Sequence, residues 1–248
     1  MVGMPEYRVL SAGDTALVVE FGEHIERRLS RWVLALARRL NEARIEGVVE
    51  TVPTYRSLIV HFDPLILSAA SLTTRVVDLM RGLQLKRTVG RHWYLPACYD
   101  PQFALDLDDV AAQKGLTPAQ VVELHSSTTY HVYMLGFLPG MAYLGDVPAE
   151  LGLPRRTTPR LHVPAGSLAI ATTMTCVYPL DTPAGWHLIG RSPIPFWEKR
   201  PEIKTLLAPG DRVSFMPVSL RECEDLSIKA ADGTLHIEPV EETMEVAA

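Results

Sequence analysis

Apolar residues recur at two different spacings in the first eighty residues, and each spacing predicts a different local structure. Between positions 24 and 43 they return every three or four residues, which is typical of an amphipathic helix, and a similar run covers 72–83. Alternating or continuous apolar runs predict strands at 7–10, 15–21, 47–52 and 58–62. The order strand, strand, helix, strand, strand, helix predicts an antiparallel sheet covered on one face by two helices.

Helical spacing ends near residue 125. Before it, two short helices are predicted, one capped by Asp106 and one starting at Pro118 after a capping box at Thr117. The Asp232-Gly233 pair between apolar runs at 226–230 and 235–238 predicts a hairpin. Short strands separated by proline or glycine are typical of a barrel or sandwich, and they are predicted at 92–98, 129–135, 166–172, 186–190 and 211–216.

Composition narrows the class of protein. The 248 residues suit one large domain or two ordinary ones, and the polar, basic segment 84–91 is the best boundary, giving domains 1–86 and 87–248. No apolar run approaches the roughly 20 residues that cross a bilayer, and the start lacks a signal-peptide pattern. Three cysteines without metal-ligand spacing fit a reducing cytoplasm, so we expect a cytoplasmic protein that needs no membrane.

Charge argues against nucleic acid as a partner. The net charge is −5, and the helix pair at 106–125, which resembles a helix-turn-helix, carries mainly acidic residues. Repulsion from phosphates should therefore prevent DNA binding.

The segment 131–195 holds nine of the 19 prolines and seven of the 16 glycines, interleaved with aromatic and arginine residues. Because proline and glycine fix turns that other residues adopt only at a cost, this segment is expected to shape a site. The loop from Gly136 to Gly140 could hold a carboxylate or an oxyanion with its N–H groups, or it could be a structural turn.

Several arginines lie in or beside these proline-rich loops. Arg155, Arg156, Arg160 and Arg191 could bind a small anion or an acidic partner, or could pair with surface carboxylates. His131, at the start of a strand beside the loop, is the best candidate for a general acid or base, although a structural histidine is an equal alternative. The sequence has no metal signature, no nucleophile elbow and no Walker A loop.

Five blocks of sequence motifs follow one another along the chain in the order found in one known family. The motifs are Gly-Phe-x-Pro-Gly-x-x-Tyr-Leu at 136–144, Pro-Arg at 154–155 and 159–160, Val-Pro-Ala-Gly-Ser at 163–167, Tyr-Pro at 178–179 and Gly-Trp-His-Leu-Ile-Gly-Arg at 185–191. Together they are similar to the family called 5-oxoprolinase B-subunit, KipI-like or allophanate hydrolase subunit 1, which contains the carboxyltransferase domain, subdomain C and D. The resemblance covers nearly the whole chain. It implies an α+β N-terminal domain followed by a cyclophilin-like β-barrel domain.

The resemblance also implies a function. Members act with a KipA-like protein, the C-subunit of 5-oxoprolinase, and with a LamB/YcsF-type third subunit they open 5-oxo-L-proline to L-glutamate using ATP. We therefore expect an enzyme subunit that binds a small carboxylate-bearing amide or lactam together with separate partner chains. Two alternatives stay open: the carboxyltransferase component of a biotin-dependent urea carboxylase, and an inhibitor of a histidine kinase. A purely structural role in support of a partner is a further reading.

The resemblance and the residue chemistry together give a predicted site. His131 and Arg191 are the predicted catalytic residues, and no metal is expected. The predicted substrate-binding residues are Gly136, Phe137, Pro139, Gly140, Tyr143, Arg160, Gly166, Ser167, Tyr178 and Trp186.

The chain departs from the family pattern at three positions between two of the motifs. Members commonly have glycine where this chain has Thr172 and Cys176, and glutamine where it has Met174. Losing an amide and two flexible positions should change the hydrogen bonds that the site can offer.

Overall fold

A computed structural model describes residues 3–85, 88–197 and 205–244. The described residues divide into two compact units, one that reaches to Val89 and includes Thr243 and Met244, and one from Gly90 to Glu242. The predicted boundary at 86/87 lies outside the described residues.

The first unit is a four-stranded antiparallel sheet with two helices. Its strands are ordered β1-β2-β4-β3, and every neighbouring pair is antiparallel. Apolar side chains of α1, such as Trp32 and Leu36, are buried in one core with those of the sheet. The elements are β1 (Tyr7–Ser11), β2 (Ala16–Phe21), α1 (Arg27–Ala43), β3 (Val48–Pro53), β4 (Ser57–Phe62) and α2 (Ala69–Met80).

Local sequence signals explain where these helices begin and end. The Ser68 hydroxyl accepts a hydrogen bond from the Ser71 N–H and so caps α2. Helix α1 ends at Ala43, and the backbone of Arg44 after it is left-handed with φ 44°. The predicted helix started three residues too early, because 24–26 lie before the first helical turn.

The second unit contains most of a large mixed sheet. Its elements are β5 (Thr88–Ala97), α3 (Leu107–Lys114), α4 (Pro118–Ser126), β6 (Thr129–Leu135), β7 (Ala142–Gly145), a 3₁₀ turn (Ala149–Leu151), β8 (Arg160–Val163), β9 (Ser167–Ala171), β10 (Met174–Val177), β11 (Thr182–Ala184), β12 (His187–Arg191), β13 (Arg212–Pro217), α5 (Leu220–Ala231) and β14 (Val240–Met244).

Eight strands form one sheet in the order β12-β9-β10-β7-β6-β13-β5-β14, and β8 with β11 forms a separate two-stranded sheet. The pair β5–β13 is parallel, whereas the other described pairs of the large sheet are antiparallel. Helices α3 and α4 contribute Val110 and Val121 to the core on this sheet. The Thr117–Gln120 capping box predicted for α4 is confirmed, with both reciprocal bonds present.

The expected cyclophilin-like barrel is not confirmed. Among the described strands the order is that of an open sheet, because β14 lies beyond β5 at one edge and β12 lies at the other. An isolated bridge joins Cys98, which follows β5, to Arg191 of β12, and the described residues form no strand pair there. The fold is therefore described as mixed α and β with a large mixed sheet.

Two local predictions were wrong. Asp232-Gly233 ends α5 instead of turning a hairpin, because a capping box at Ser219 and Glu222 starts a helix that runs on to Ala231. Asp106 stands before α3, but its side chain makes no capping bond.

None of the helices in the described residues has both the length and the apolar character that a membrane span needs.

Candidate active site

One concave region of the second unit gathers motif residues from four separate stretches of the sequence. We call it the aromatic cleft. Its volume is about 270 Å³. The lining residues are Phe137, Met141, Tyr143, Arg155, Pro159, Tyr178, Pro183, Ala184, Gly185 and Trp186.

A larger hollow of about 330 Å³ lies in the first unit, where Arg38, Arg39 and Glu42 of α1 line it. Among the described residues that line this hollow there is no aromatic residue and no residue of the predicted site. The aromatic cleft is therefore the better candidate, although its volume is smaller.

The loop after β6 supplies Phe137 to the cleft. The Gly136 N–H donates to the Met141 carbonyl, and the Met141 N–H donates to that of Leu138, so the loop folds back on itself. Gly140 has φ +77°, and a Cβ there would lie 2.7 Å from the Phe196 carbonyl oxygen, so only glycine fits. Phe137 is 65% exposed and has φ 70°. This left-handed backbone conformation is energetically unfavourable for a residue other than glycine. The loop thus holds an aromatic ring at the surface.

Two phenols and an indole form the walls. The rings of Tyr143 and Trp186 meet edge to face, with centroids 5.9 Å apart. Tyr178, which follows β10, is 1% exposed. Burial raises the pKa of both Tyr143 and Tyr178, and the Arg155 guanidinium offsets part of each rise. Both phenols are therefore neutral near pH 7 and can donate hydrogen bonds.

Arg155 is the cation of the cleft. Its guanidinium lies 5.9 Å from the centroid of the Trp186 ring, and the residue is exposed. The sequence placed Arg155 among four candidate arginines but not in the predicted site. The Pro-Arg dipeptide at 154–155 does not single it out, because the same dipeptide occurs at 159–160.

Arg160, a predicted substrate-binding residue, is bound to a buried carboxylate. Its Nη1 and Nη2 donate to Asp106 at 2.8 and 2.7 Å, and Arg156 Nη1 donates to the same carboxylate at 2.6 Å. Neither arginine lines the cleft. The alternative that these arginines pair with surface carboxylates is not what the structure records for the two, because Asp106 is buried.

The predicted residues Gly166, Ser167 and Arg191 form a second group. Ser167 of β9 pairs with Arg191 of β12, and a Cβ on Gly166 would lie 3.2 Å from Arg191 Nε. The Arg191 guanidinium lies 5.2 Å from the centre of the Phe103 ring. None of the three lines the cleft.

His131 is 2% exposed, and its ring meets Tyr133 edge to face at 4.7 Å. Neither ring is among the cleft residues, and the loop residues Gly136, Pro139 and Gly140 do not line the cleft either. The structure therefore brings together Phe137, Tyr143, Tyr178 and Trp186 of the predicted set. The roles of the others stay predictions.

Cysteine chemistry at the cleft is disfavoured. Cys176 lies two residues before Tyr178, and burial raises the pKa of the Cys176 thiol. The thiol is protonated near pH 7 and is a poor nucleophile. This agrees with the sequence-based expectation of an inert core thiol.

Comparison with known proteins decides the family. The family model described as carboxyltransferase domain, subdomain C and D, matches residues 7–207. The chain belongs to this family.

Two relatives in the family are named as the B-subunit of 5-oxoprolinase. The protein of Bacillus subtilis is 33% identical over 87% of this chain and 95% of its own length, and that of Escherichia coli O157:H7 is 38% identical over 86% and 97%. A urea amidolyase of Lachancea kluyveri is 24% identical over 97% of this chain but only 15% of its own length. The crystal structure of the Kluyveromyces lactis urea amidolyase shares the fold, with a TM-score of 0.82, 20% identity and coverage of 97% of this chain and 16% of that chain.

Of the three positions that depart from the expected family pattern, Thr172 lies in the turn between β9 and β10, and Met174 and Cys176 lie in β10. Thr172 has φ 55°, the left-handed conformation that glycine adopts without strain. Met174 is buried, with its sulfur 3.4 Å from where a Cβ of Gly145 would be. The Cys176 thiol contributes to the raised pKa of Tyr178, two residues further on. One of the three thus influences a residue that lines the cleft.

Proposed function

We propose that this chain is one component of a 5-oxoprolinase-type complex and that its aromatic cleft binds 5-oxo-L-proline or a related small lactam bearing a carboxylate. The observation that carries the proposal is the exposed Arg155 guanidinium beside Trp186, in a cleft that two neutral phenols also line. The relatives named as components of a 5-oxoprolinase support it.

The chemistry of the cleft suits such a ligand. A guanidinium binds a carboxylate with two parallel hydrogen bonds, and such charge-assisted bonds are stronger than neutral ones. The five-membered ring can lie against Trp186, and a phenol of Tyr143 or Tyr178 can donate to the amide oxygen. A volume of about 270 Å³ suits a molecule of this size better than a peptide.

Opening a lactam also requires activation of its carbonyl, and we propose that the assembled complex uses ATP for this step. Because the sequence has no Walker A loop, we expect ATP to bind with the help of partner chains. The proposed partners are a KipA-like protein, which is the C-subunit of the complex, and a LamB/YcsF-type protein. We place the complex in the cytoplasm, where its three reduced thiols would be stable.

The second candidate function is carboxyl transfer in a biotin-dependent urea carboxylase. The similarity to a urea amidolyase over 97% of this chain favours it. It predicts that the chain works with a biotin carboxylase and a biotinylated carrier, and that urea is consumed while 5-oxoproline is not.

The test is glutamate release from 5-oxo-L-proline and ATP by the reconstituted complex, with Arg155→Met compared with wild type. Losing a charge-assisted pair costs roughly 1.5–3 kcal/mol, so KM should rise about tenfold or more. Arg221→Met is the matched control, since Arg221 is an exposed arginine of the same unit that does not line the cleft. An unchanged KM in Arg155→Met, with an active wild-type complex, would contradict the proposal.

His131 and Arg191 are proposed to act on the reacting atoms only once partner chains complete the site. If His131→Ala and Arg191→Ala both keep the wild-type kcat in the same assay, neither residue is catalytic.

A further inference from the structure

A single buried carboxylate joins both sides of the aromatic cleft. Asp106 is 1% exposed and accepts hydrogen bonds from the guanidinium groups of Arg156 and Arg160, and from the Leu188 N–H at 2.7 Å. The Asp106 N–H in turn donates to the Leu188 carbonyl at 2.8 Å. We call these four residues the Asp106 cluster.

The Asp106 cluster holds the two chain segments that border the cleft. Arg156 directly follows Arg155, and Arg160 directly follows Pro159. Leu188 lies two residues after Trp186. Arg155, Pro159 and Trp186 all line the cleft. Two further bonds join the same segments: the Arg156 N–H donates to the Gly185 carbonyl at 2.8 Å, and His187 Nε2 donates to the Pro154 carbonyl at 3.0 Å. The position of Arg155 therefore depends on contacts made by its neighbours.

The charges in this region indicate that Asp106 pairs with two of the three neighbouring arginines and leaves the third for the cleft. Three arginines stand within six residues, and the carboxylate of Asp106 binds two of them. Removing one partner from a buried ion pair costs more than removing a surface pair, because a buried charge is left without compensation. Without Asp106, the guanidinium groups of Arg156 and Arg160 would have to turn to solvent or to an anion in the cleft.

We propose that Asp106 is a positioning residue, which fixes Arg155 at the cleft for the substrate's carboxylate and keeps Arg156 and Arg160 away from it. This inference rests on the proposed function, in which Arg155 binds that carboxylate. Asp106 itself does not touch the substrate.

The experiment is a double-mutant cycle in the reconstituted complex, with 5-oxo-L-proline as the substrate and KM and kcat measured separately. Asp106→Asn keeps the shape of the side chain and one acceptor oxygen but removes the charge. We expect KM to rise about tenfold and kcat to stay within about twofold, because binding depends on the geometry of Arg155. In the Arg155→Met background, Asp106→Asn should raise KM no further, since residues that act through one contact are not additive.

Other roles of Asp106 predict different results, and each would overturn the proposal. If Asp106 acted only through its charge, its removal would strengthen anion binding, and KM would fall. If it served only stability, the melting temperature would fall while KM stayed unchanged. If KM rose equally in both backgrounds, Asp106 would act independently of Arg155.

A second variant keeps the test decisive if Asp106→Asn does not fold. Arg160→Gln removes one arm of the cluster and leaves the bond between Arg156 and Asp106, and it should show the same rise in KM and the same lack of additivity with Arg155→Met. The cycle also separates the two proposals. An unchanged KM in Arg155→Met defeats the proposed function, whereas a raised KM in that variant with additive effects defeats only the inference about Asp106.

Discussion

His125 should make the stability of this protein depend on pH, because its ring is protonated more readily in the unfolded chain than in the folded one. The ring is fully buried at the end of α4. Thr175 Oγ1 donates to the Ala169 carbonyl, so it must accept from His125 Nε2 at 2.9 Å, and Nδ1 then accepts from the Tyr99 hydroxyl at 2.8 Å. These directions require the neutral imidazole. Burial lowers the pKa of His125 to about 3.

The sign of the effect follows from the two protonation states. The unfolded chain takes up a proton at this ring below its ordinary pKa of about 6.5, whereas the folded chain does not until about pH 3. Acid therefore favours the unfolded state: this contribution to stability is complete above about pH 6.5 and is lost as the pH falls towards 3. The slope is about 1.4 kcal/mol per pH unit, so about 2 kcal/mol should be lost between pH 7 and pH 5.

The perturbation is His125→Gln, which removes the titrating group. At pH 7 the variant should be less stable by about 2–4 kcal/mol, because it loses two buried hydrogen bonds and the ring contact with Phe215. Since the variant carries no proton penalty at this position, the difference from wild type should shrink by about 2 kcal/mol at pH 5.

Urea unfolding of both proteins at several pH values between 5 and 7.5 measures this difference. His162→Gln is the control for losing a histidine, because His162 is exposed. A difference in free energy of unfolding between wild type and His125→Gln that stays constant over this range would refute the reasoning.

Three further outcomes are expected. Thr172→Gly should raise the free energy of unfolding by about 0.5–1 kcal/mol by relieving the positive φ, whereas Thr173→Gly, at an ordinary φ, should lower it; equal effects in urea melts would contradict this. Gly145→Ala should cost about 1–3 kcal/mol, because its Cβ would clash with the buried Tyr133 ring, and an unchanged melting temperature would argue against that packing. The three thiols are buried, and burial raises the pKa of Cys223 to about 11, so a thiol reagent at pH 8 should label them only after denaturant is added; rapid labelling of the native protein would show the burial to be wrong.

The sequence predicted elements well where one face is buried and the other exposed. The helical spacing of α1 and the capping box of α4 were sufficient signals. Strand β6 was also predicted at 129–135, as observed, although four consecutive residues of it are buried, because its seven residues make a longer run. Strands β7, β8, β10 and β11 were missed, because each has only three or four residues and the four residues of β10 are all buried. A short strand buried on both faces has no alternation to detect.

The pairing of strands that are far apart in the chain could not be predicted from the sequence either. The parallel contact of β5 with β13 joins residues about 120 positions apart, and no local pattern specifies it. The Asp232-Gly233 signal misled for a related reason: a positive φ at Gly233 suits the end of a helix as well as a hairpin turn, and the capping box upstream decides between them.

In the candidate site, too, features that depend on nearby sequence were predictable, and features that depend on distant residues were not. The aromatic residues of the cleft were predictable, because proline and glycine in 131–195 signal a shaped backbone around them. The choice among Arg155, Arg156 and Arg160 was not, because it depends on a carboxylate fifty residues earlier in the chain. The usable signal was that Asp106 stands where a helix cap is expected; a carboxylate that does not cap must find other donors once it is buried.

The departures from the expected family pattern bear on the cleft through the position of Cys176, two residues before Tyr178. Burial raises the pKa of Tyr178, and the Cys176 thiol adds to that rise, so the phenol is neutral near pH 7. A glycine at position 176 would lack that thiol. Because Tyr178 lines the same cleft as Arg155, the replacement changes the surroundings of a neutral donor while the cation is kept. Under the proposed function, we therefore expect the departures to change which amide is accepted and to leave the need for a carboxylate in place.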